Sequence, residues 1–386
     1  MSATALLPGV LHLLVRVRQP GAGSGDCYQL LLGTRRPPAA YDALADPRTA
    51  ALLLERLRRP GRTGRLTFVR EGWAGGYAGT GLPARPLAAE QSHTSVVYGD
   101  RFVLKVFRRV DPGPSPDLEV PSALARAGGD RVPPPLAWFE TSALTDERGS
   151  PATLGVLSPY LADAADGRRL AAEALAARTD FTPYARALGR ATADLHETLR
   201  RALPVTVLRA PQSAALAAAM TARLAAAAAA VPALRPYRAR LGETFAAVAE
   251  LGAAGRTWRA QRVHGDLHLG QTLRGSRSGR WSFVDFEGEP ELPPPARRRP
   301  HPVTRDVAGM LRSFTYAAPG APSWADRCGA AYCAGYAERS GTDPREEAAL
   351  LRAYVADRAV HEVVYEAGNR PGWLGVPLGT IADLAG

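Results

Sequence analysis

Apolar and polar positions change their spacing near residue 165. Before it, short apolar runs with alternating polar positions predict strands at residues 10–17, 27–33 and 65–72. Residues 49–59 instead show helical spacing, after Asp46-Pro47 and before Pro60-Gly61. We therefore expect residues 1–90 to form a small α+β unit.

Residues 91–165 continue the β-rich pattern. Two short β-runs in residues 95–110 flank Gly99-Asp100, which predicts a hairpin with Lys105 on its second strand. A helix is expected after it, and then two more strands. These three elements span 116–128, 134–140 and 152–161.

Residues 166–386 are rich in amphipathic helical patterns. The Ala-rich stretch 214–231 is predicted to be a spacer or packing helix rather than a membrane span. A short hairpin turns at residues 275–279, and a Pro-rich loop covers 290–302. One further predicted helix begins at Gly167. The others cover 184–203, 304–317, 324–340 and 344–368.

Composition excludes several classes of protein. The chain has 386 residues, 46% hydrophobic and 22% charged, which is typical of a globular protein. No run of about 18 uncharged apolar residues predicts a membrane span. Residues 3–15 are apolar, but they lack a preceding basic segment and contain Pro8, so we expect a buried strand and not a signal peptide. Three cysteines without CxxC spacing favour neither disulfides nor zinc, and a reducing cytoplasm fits best.

The net charge of +11 raises the question of nucleic-acid binding. However, 47 of the 48 basic residues are arginine, and they are scattered apart from one cluster at 297–299. This indicates a compositional bias, so no nucleic-acid partner is expected. Lys105 is the single lysine. Either it marks a place where a compact ammonium is required, or it survives by chance; composition leaves both open.

A β-rich part carrying Lys105, followed by a larger helical part, is the bilobal arrangement of a kinase. Phosphoryl transfer needs a carboxylate for the attacking hydroxyl, oxygen ligands for Mg²⁺ and a cation on the phosphates. The segment HGDLHLGQ, residues 264–271, offers Asp266 as the base and Gln271 as a metal ligand. Asp285, at the end of an apolar strand, is expected to be the main metal carboxylate.

Lys105 is expected to contact the α- and β-phosphates of ATP, held by an ion pair with Glu119 in the following helix. Each of these residues is a weak indication when taken singly. Their order along the chain, together with the lysine at the required place, predicts a kinase.

Longer motifs carry a family resemblance. The segments EQSHTSVVYGDRFVLKVFRRV, PDLEVP, HGDLHLGQ, VDFEGEP, RDVAGMLRSF and YEAGNRPGWL lie in this order over residues 90–386. The chain thereby resembles the actinobacterial maltokinases and the related glucosamine kinases, which are aminoglycoside-phosphotransferase-like enzymes of protein-kinase-like fold.

The resemblance implies an α+β bilobal fold. It has an N-terminal cap domain (1–90), a β-rich intermediate subdomain that binds ATP (91–165) and a helical C-lobe with the catalytic loop and the sugar site (166–386). It also implies ATP and Mg²⁺ as cofactors, and a loop over the phosphates with hydroxyls from Ser92, Thr94 and Ser95. By position, the connector backbone at Tyr160 and Leu161 would bind adenine.

The acceptor site is expected beside Asp266. Glu362, Glu366 and Asn369 are spaced to share one helix face. Paired carboxylates suit a sugar hydroxyl or an ammonium, unless they pair with Arg358 and Arg370 instead. With these residues we group His268, Glu287 and Trp373 as lining residues. Asp306 is expected to cap a helix or brace the catalytic loop, and His196 and His361 are expected to be packing or surface residues.

These residues predict a cytoplasmic, ATP- and Mg²⁺-dependent kinase of a small sugar, acting as a monomer or weak homodimer without a membrane or nucleic-acid partner. Maltokinases are usually longer, so the shorter chain favours glucosamine, with glucosamine 6-phosphate as product, over maltose and maltose 1-phosphate. Two other functional classes stay open: an antibiotic phosphotransferase and a non-catalytic nucleotide-binding module.

Overall fold

A computed structural model describes residues 2–18, 25–36, 39–72, 81–87, 93–289 and 292–386. The chain forms two compact units. One comprises Met1–Ala125 with Val132–Asp163, and the other comprises Arg126–Arg131 with Ala164–Gly386. The division at Asp163 lies close to the predicted start of the helical part.

The first unit begins with a four-stranded antiparallel sheet and a helix. The strands predicted at 10–17 and 27–33 are confirmed, and they pair with each other from Val10↔Gly33 to Val17↔Asp26. Leu14, Leu31 and the helix residue Leu53 are buried in its core. The elements are β1 (Ser2–Leu7), β2 (Val10–Val17), β3 (Asp26–Arg36), β4 (Ala39–Asp42) and α1 (Pro47–Leu57).

A seven-stranded sheet forms the rest of this unit, in the order β5-β6-β10-β11-β9-β8-β7. The predicted hairpin between β8 and β9 is confirmed, and both Gly99 (φ 54°) and Asp100 (φ 49°) have the positive φ of a type I′ turn. Its elements are β5 (Gly61–Thr63), β6 (Leu66–Arg70), β7 (Ala84–Pro86), β8 (His93–Tyr98), β9 (Phe102–Phe107), α2 (Pro116–Arg126), β10 (Ala137–Thr145) and β11 (Pro151–Pro159).

The boundary expected at residue 90 does not divide this sheet. β6 comes before it in sequence, yet β6 pairs with β10 from Leu66↔Thr141 to Ala137↔Arg70. The reason is that Phe68 stacks on Phe139 at 5.7 Å inside the shared core, so strands from both sides of residue 90 bury the same apolar surface.

The second unit is mostly helical, and the helix predicted over 304–317 has those bounds in the structure, as α8. Three helices were not predicted: the four-residue α7 (Pro294–Arg297), which lies in the predicted Pro-rich loop, α6 (Arg238–Ala253) and α11 (Gly375–Ala385). α6 has a weak apolar stripe, and α11 contains two glycines and a proline, which obscure the helical pattern. The elements are β12 (Ala164–Asp166), α3 (Gly167–Ala176), α4 (Thr182–Ala202), β13 (Val205–Leu208), α5 (Ala210–Ala230), α6 (Arg238–Ala253), β14 (Trp258–Gln261), β15 (Thr272–Gly275), β16 (Trp281–Phe283), α7 (Pro294–Arg297), α8 (Thr304–Ala317), α9 (Pro322–Ser340), α10 (Ala348–Asn369) and α11 (Gly375–Ala385).

The Ala-rich helix α5 is the one described helix that is long and apolar enough to cross a membrane. It packs against α6 and α10 within the helical unit. Arg223 on its surface forms a two-bond ion pair with Asp357 of α10, at 2.6 and 2.9 Å. These contacts agree with the predicted packing helix.

Candidate active site

The segment 264–271, called the catalytic segment below, is held from one side by Asp306 at the start of α8. Asp306 is 1% exposed, and its carboxylate accepts hydrogen bonds from the backbone N–H groups of His264 (2.8 Å) and Gly265 (2.9 Å). His196 Nε2 lies 3.0 Å from the same carboxylate. The expected brace is confirmed, and His196 is a buried packing residue.

Helix α8 approaches the catalytic segment closely. Gly309 permits this, because a Cβ at that position would lie 2.5 Å from the carbonyl oxygen of Leu267. One turn later, Ser313 Oγ accepts a hydrogen bond from the backbone N–H of Leu269 at 2.9 Å. The backbone on both sides of Asp266 is therefore fixed by α8.

Asp266 faces a guanidinium. Arg358 Nη1 lies 2.8 Å from Asp266 Oδ1, and His268 Nε2 lies 4.0 Å from Oδ2. Burial alone would raise the pKa of Asp266, but the charge of Arg358 outweighs it, so this pKa lies below the usual value and the carboxyl is ionised. Burial lowers the pKa of His268, which is therefore neutral at pH 7.

Gln271 and Asp285 lie together across the β15–β16 hairpin. Gln271 Nε2 donates to Asp285 Oδ2 at 2.9 Å, so an amide and a carboxylate, both of which carry hard oxygen atoms, lie side by side. Asp285 has a φ of 68°, a left-handed conformation that is uncommon for a residue with a side chain. The donor chemistry fits Mg²⁺, and the strained backbone is typical of a functional position.

Lys105 lies on β9, in the first unit. Its Nζ is 2.5 Å from Asp117 Oδ2, and both side chains are mostly buried. Asp117 lies at the start of α2, two residues before Glu119, and the sequence interpretation missed it. The motif PDLEVP contains both acids, so spacing could not decide between them.

The other predicted nucleotide residues of the first unit have mixed outcomes. Thr94 Oγ1 accepts from Arg108 Nε at 2.8 Å, and Ser95 pairs with Lys105 across β8 and β9. Ser92 lies outside the described residues. The N–H of Tyr160, next to Leu161, already donates to the carbonyl of Arg101 at 2.8 Å, so this N–H does not point to an adenine partner.

A cavity of about 410 Å³ lies beside Asp266 within the second unit, and we call it the acceptor cavity. Five predicted substrate or catalytic residues line it together. They are Asp266, His268, Glu362, Glu366 and Trp373. Asn369 does not line it: its side chain is exposed, and its amide donates to the carbonyl of Tyr365 one turn earlier. Glu287 is half-buried outside the lining, whereas His361 is part of the wall.

Arginines pair with the carboxylates of this cavity. Arg312 donates twice to Glu362 (2.8 and 2.9 Å), and Arg370 donates twice to Glu366 (2.6 and 3.0 Å). The alternative of pairing with arginine is confirmed for Glu366 with Arg370, and Glu362 pairs with Arg312. Both acids also line the cavity, and their binding to an acceptor stays a prediction. Arg312 and Arg358 were not predicted as site residues, since they meet their partners Glu362 and Asp266 only in three dimensions.

The outer wall of the acceptor cavity is aromatic. Trp373 is 40% exposed and stacks on Tyr316 with ring centroids 6.4 Å apart and planes at 7°. Burial raises the pKa of Tyr316, as do the nearby Glu362 and Glu366, so its hydroxyl stays protonated. A flat apolar surface next to charged groups suits the face of a pyranose ring.

Comparison with known proteins finds kinases that are similar in sequence to this chain. A glucosamine kinase of Mycolicibacterium smegmatis is 33% identical over 360 residues, covering 85% of this chain and 86% of that protein. A glucosamine kinase of Streptacidiphilus jiangxiensis is 31% identical, covering 87% of this chain and 81% of that protein.

A solved glucosamine kinase in complex with glucosamine, ADP and inorganic phosphate has a TM-score of 0.74 at 24% identity, covering 100% of this chain and 93% of that chain. This confirms the expected protein-kinase-like fold. The model of the phosphotransferase enzyme family matches residues 83–342. The chain belongs to that phosphotransferase family.

Proposed function

We propose that this phosphotransferase is an ATP-dependent kinase of glucosamine that forms glucosamine 6-phosphate. The observation that carries the proposal is an ionised, half-buried Asp266 in a cavity lined by carboxylates and bounded by an aromatic wall. Two relatives more than 30% identical over most of the chain are glucosamine kinases, which supports the same acceptor.

In this proposal Asp266 orients the acceptor hydroxyl and receives its proton as the hydroxyl attacks the γ-phosphorus of ATP. Its low pKa keeps the carboxylate free to accept that proton at neutral pH. Gln271 and Asp285 would hold Mg²⁺, which would supply positive charge to neutralise the phosphates of ATP. Lys105, oriented by Asp117, would bind the phosphates as a compact cation.

The amino group of the acceptor would be recognised by charge. The cavity lining contains four carboxylates, from Asp266, Glu289, Glu362 and Glu366, and three guanidiniums, from Arg168, Arg358 and Arg370. The carboxylate oxygens of this lining would accept charge-assisted hydrogen bonds from an ammonium, which are stronger than those from a neutral hydroxyl at the same place. Trp373 would stack on the sugar ring.

An ADP-release assay over five acceptors tests the proposal: glucosamine, glucose, N-acetylglucosamine, maltose and kanamycin. Glucosamine is expected to have a kcat/KM about 100-fold above that of glucose, since a charged hydrogen-bonding group is missing from glucose. Equal values for the two would contradict recognition of the ammonium. Preference for maltose or kanamycin would assign the chain to one of the alternative activities.

A further inference from the structure

We propose that Arg358 is a positioning residue that determines which oxygen of Asp266 faces the acceptor hydroxyl, and that it links the base to the acids that recognise the acceptor. This inference rests on the proposed function, in which Asp266 is the base. It concerns a residue of α10 that lies outside the motifs quoted for the family.

One guanidinium contacts three carboxylates from three parts of the chain. Arg358 Nη1 lies 2.8 Å from Asp266 Oδ1 and 3.3 Å from Glu289 Oε1, and its Nε lies 3.6 Å from Glu362 Oε1. These acids belong to the catalytic segment, to the loop after β16 and to α10 itself. The Arg358 side chain is 20% exposed, so solvent screens these contacts only partly.

The contact divides the two oxygens of Asp266 between different roles. Because Oδ1 is paired with Arg358, Oδ2 is the oxygen left to accept a proton from the substrate. Near Oδ2 the structure places His268 Nε2, at 4.0 Å, on the side of the acceptor cavity. Productive attack requires the base and the hydroxyl to be aligned closely, and a rotated carboxylate would lose that alignment.

The partners of Arg358 are themselves held by other arginines. Arg305 Nη2 lies 3.2 Å from Glu289 Oε1, and Arg312 Nη2 lies 2.8 Å from Glu362 Oε2. Two carboxylates that are themselves held in place therefore fix the guanidinium of Arg358 where it contacts Asp266. An acceptor that contacts Glu362 acts on the same guanidinium that orients the base, which couples recognition to turnover.

A lysine cannot reproduce this arrangement. The planar fork of arginine presents Nε and Nη1 to different carboxylates at once, whereas lysine offers one point of charge on a flexible stem. The positioning role therefore predicts that keeping the charge without the fork restores little turnover. A purely structural role predicts that R358K behaves like the wild type.

The test measures kcat, the KM of each substrate and thermal stability for R358M, R358K and the control R223M. Arg223 is the control because it too pairs with an aspartate: it donates twice to Asp357, the residue before Arg358 on α10. Arg223 is absent from the acceptor cavity lining. We expect R358M to lose about 100-fold in kcat with the KM of ATP unchanged. The kcat of R358K should be less than tenfold above that of R358M, and R223M should retain wild-type kcat.

Added guanidinium ion at millimolar concentration should raise the turnover of R358A, because it can occupy the vacated position beside Asp266. A kcat of R358M equal to that of R223M would overturn the inference. If R358M does not fold, R358K decides, and a wild-type kcat in R358K would overturn it. A wild-type protein without sugar-kinase activity would instead overturn the proposed function, and the positioning role with it.

Discussion

Two regions next to the catalytic segment hold carboxylates by different means. In the first, which we call the brace cluster (His196, Gln261, His301, Asp306 and Tyr336), Asp306 is bonded by backbone N–H groups and by His196. In the acceptor cavity, Asp266, Glu362 and Glu366 are instead paired with arginine side chains.

The difference separates what must stay fixed from what can be exchanged. A backbone N–H cannot leave its acceptor without moving the chain, so Asp306 fixes the path of the catalytic segment. The Arg370 side chain is 45% exposed, so its guanidinium can share Glu366 with an incoming ammonium. We infer that the brace cluster serves the fold and the acceptor cavity serves recognition, and the following substitutions separate the two roles.

The largest expected effect is on turnover in the acceptor cavity. D266N keeps the shape of the side chain but removes the base, so kcat should fall by about 1,000-fold. The melting temperature should change little, because Arg358 retains Glu289 and Glu362 as partners. Steady-state kinetics with a thermal melt check both expectations; a kcat within tenfold of wild type would rule out Asp266 as the base.

The next effect is on stability in the brace cluster. In D306N one side-chain oxygen becomes an NH₂ group that faces a backbone N–H, and a buried donor without an acceptor costs about 1–3 kcal/mol. The free energy of unfolding in urea should fall by that amount. D180N is the matched control, since Asp180 accepts the N–H of Thr182 at an exposed helix start. Equal losses in the two variants would contradict the brace.

A pH effect on stability is expected from His301. Burial lowers its pKa from 6.5 to about 3, so between these values the unfolded chain binds a proton that the folded chain does not. Stability is therefore full above pH 6.5 and falls with decreasing pH, by about 1 kcal/mol between pH 6.5 and 5.5. Urea unfolding at both pH values should show a smaller loss in H301Q than in the wild type; an unchanged loss would contradict a neutral buried His301.

The smallest effect is expected at the aromatic wall. W373A should raise the KM for the acceptor by about three- to tenfold, since ring stacking contributes about 0.5–1.5 kcal/mol. W373F should restore most of this binding, and kcat should change little in both variants. A normal KM for W373A would show that the acceptor does not contact this wall.

The sequence predicted the parts of the molecule that depend on local patterns. Asp266, Gln271 and Asp285 lie in two short motifs. In the same way, the turn residues Gly99-Asp100 directly specify the β8–β9 hairpin. The sequence could not predict partners that meet only in three dimensions. Arg358 reaches Asp266 from another helix, and α2 presents two acids within one turn, of which Asp117 contacts Lys105.

The pairing of β6 with β10 also limits how this chain can be cut and recombined. A fragment that starts at residue 91 would lack β5, β6 and β7, and would expose the apolar edge of a strand that is interior in the intact sheet. Chimeras with other members of the family should therefore be joined between α1 and β5, near Pro60, where the exchanged piece takes no strand from the sheet that carries Lys105.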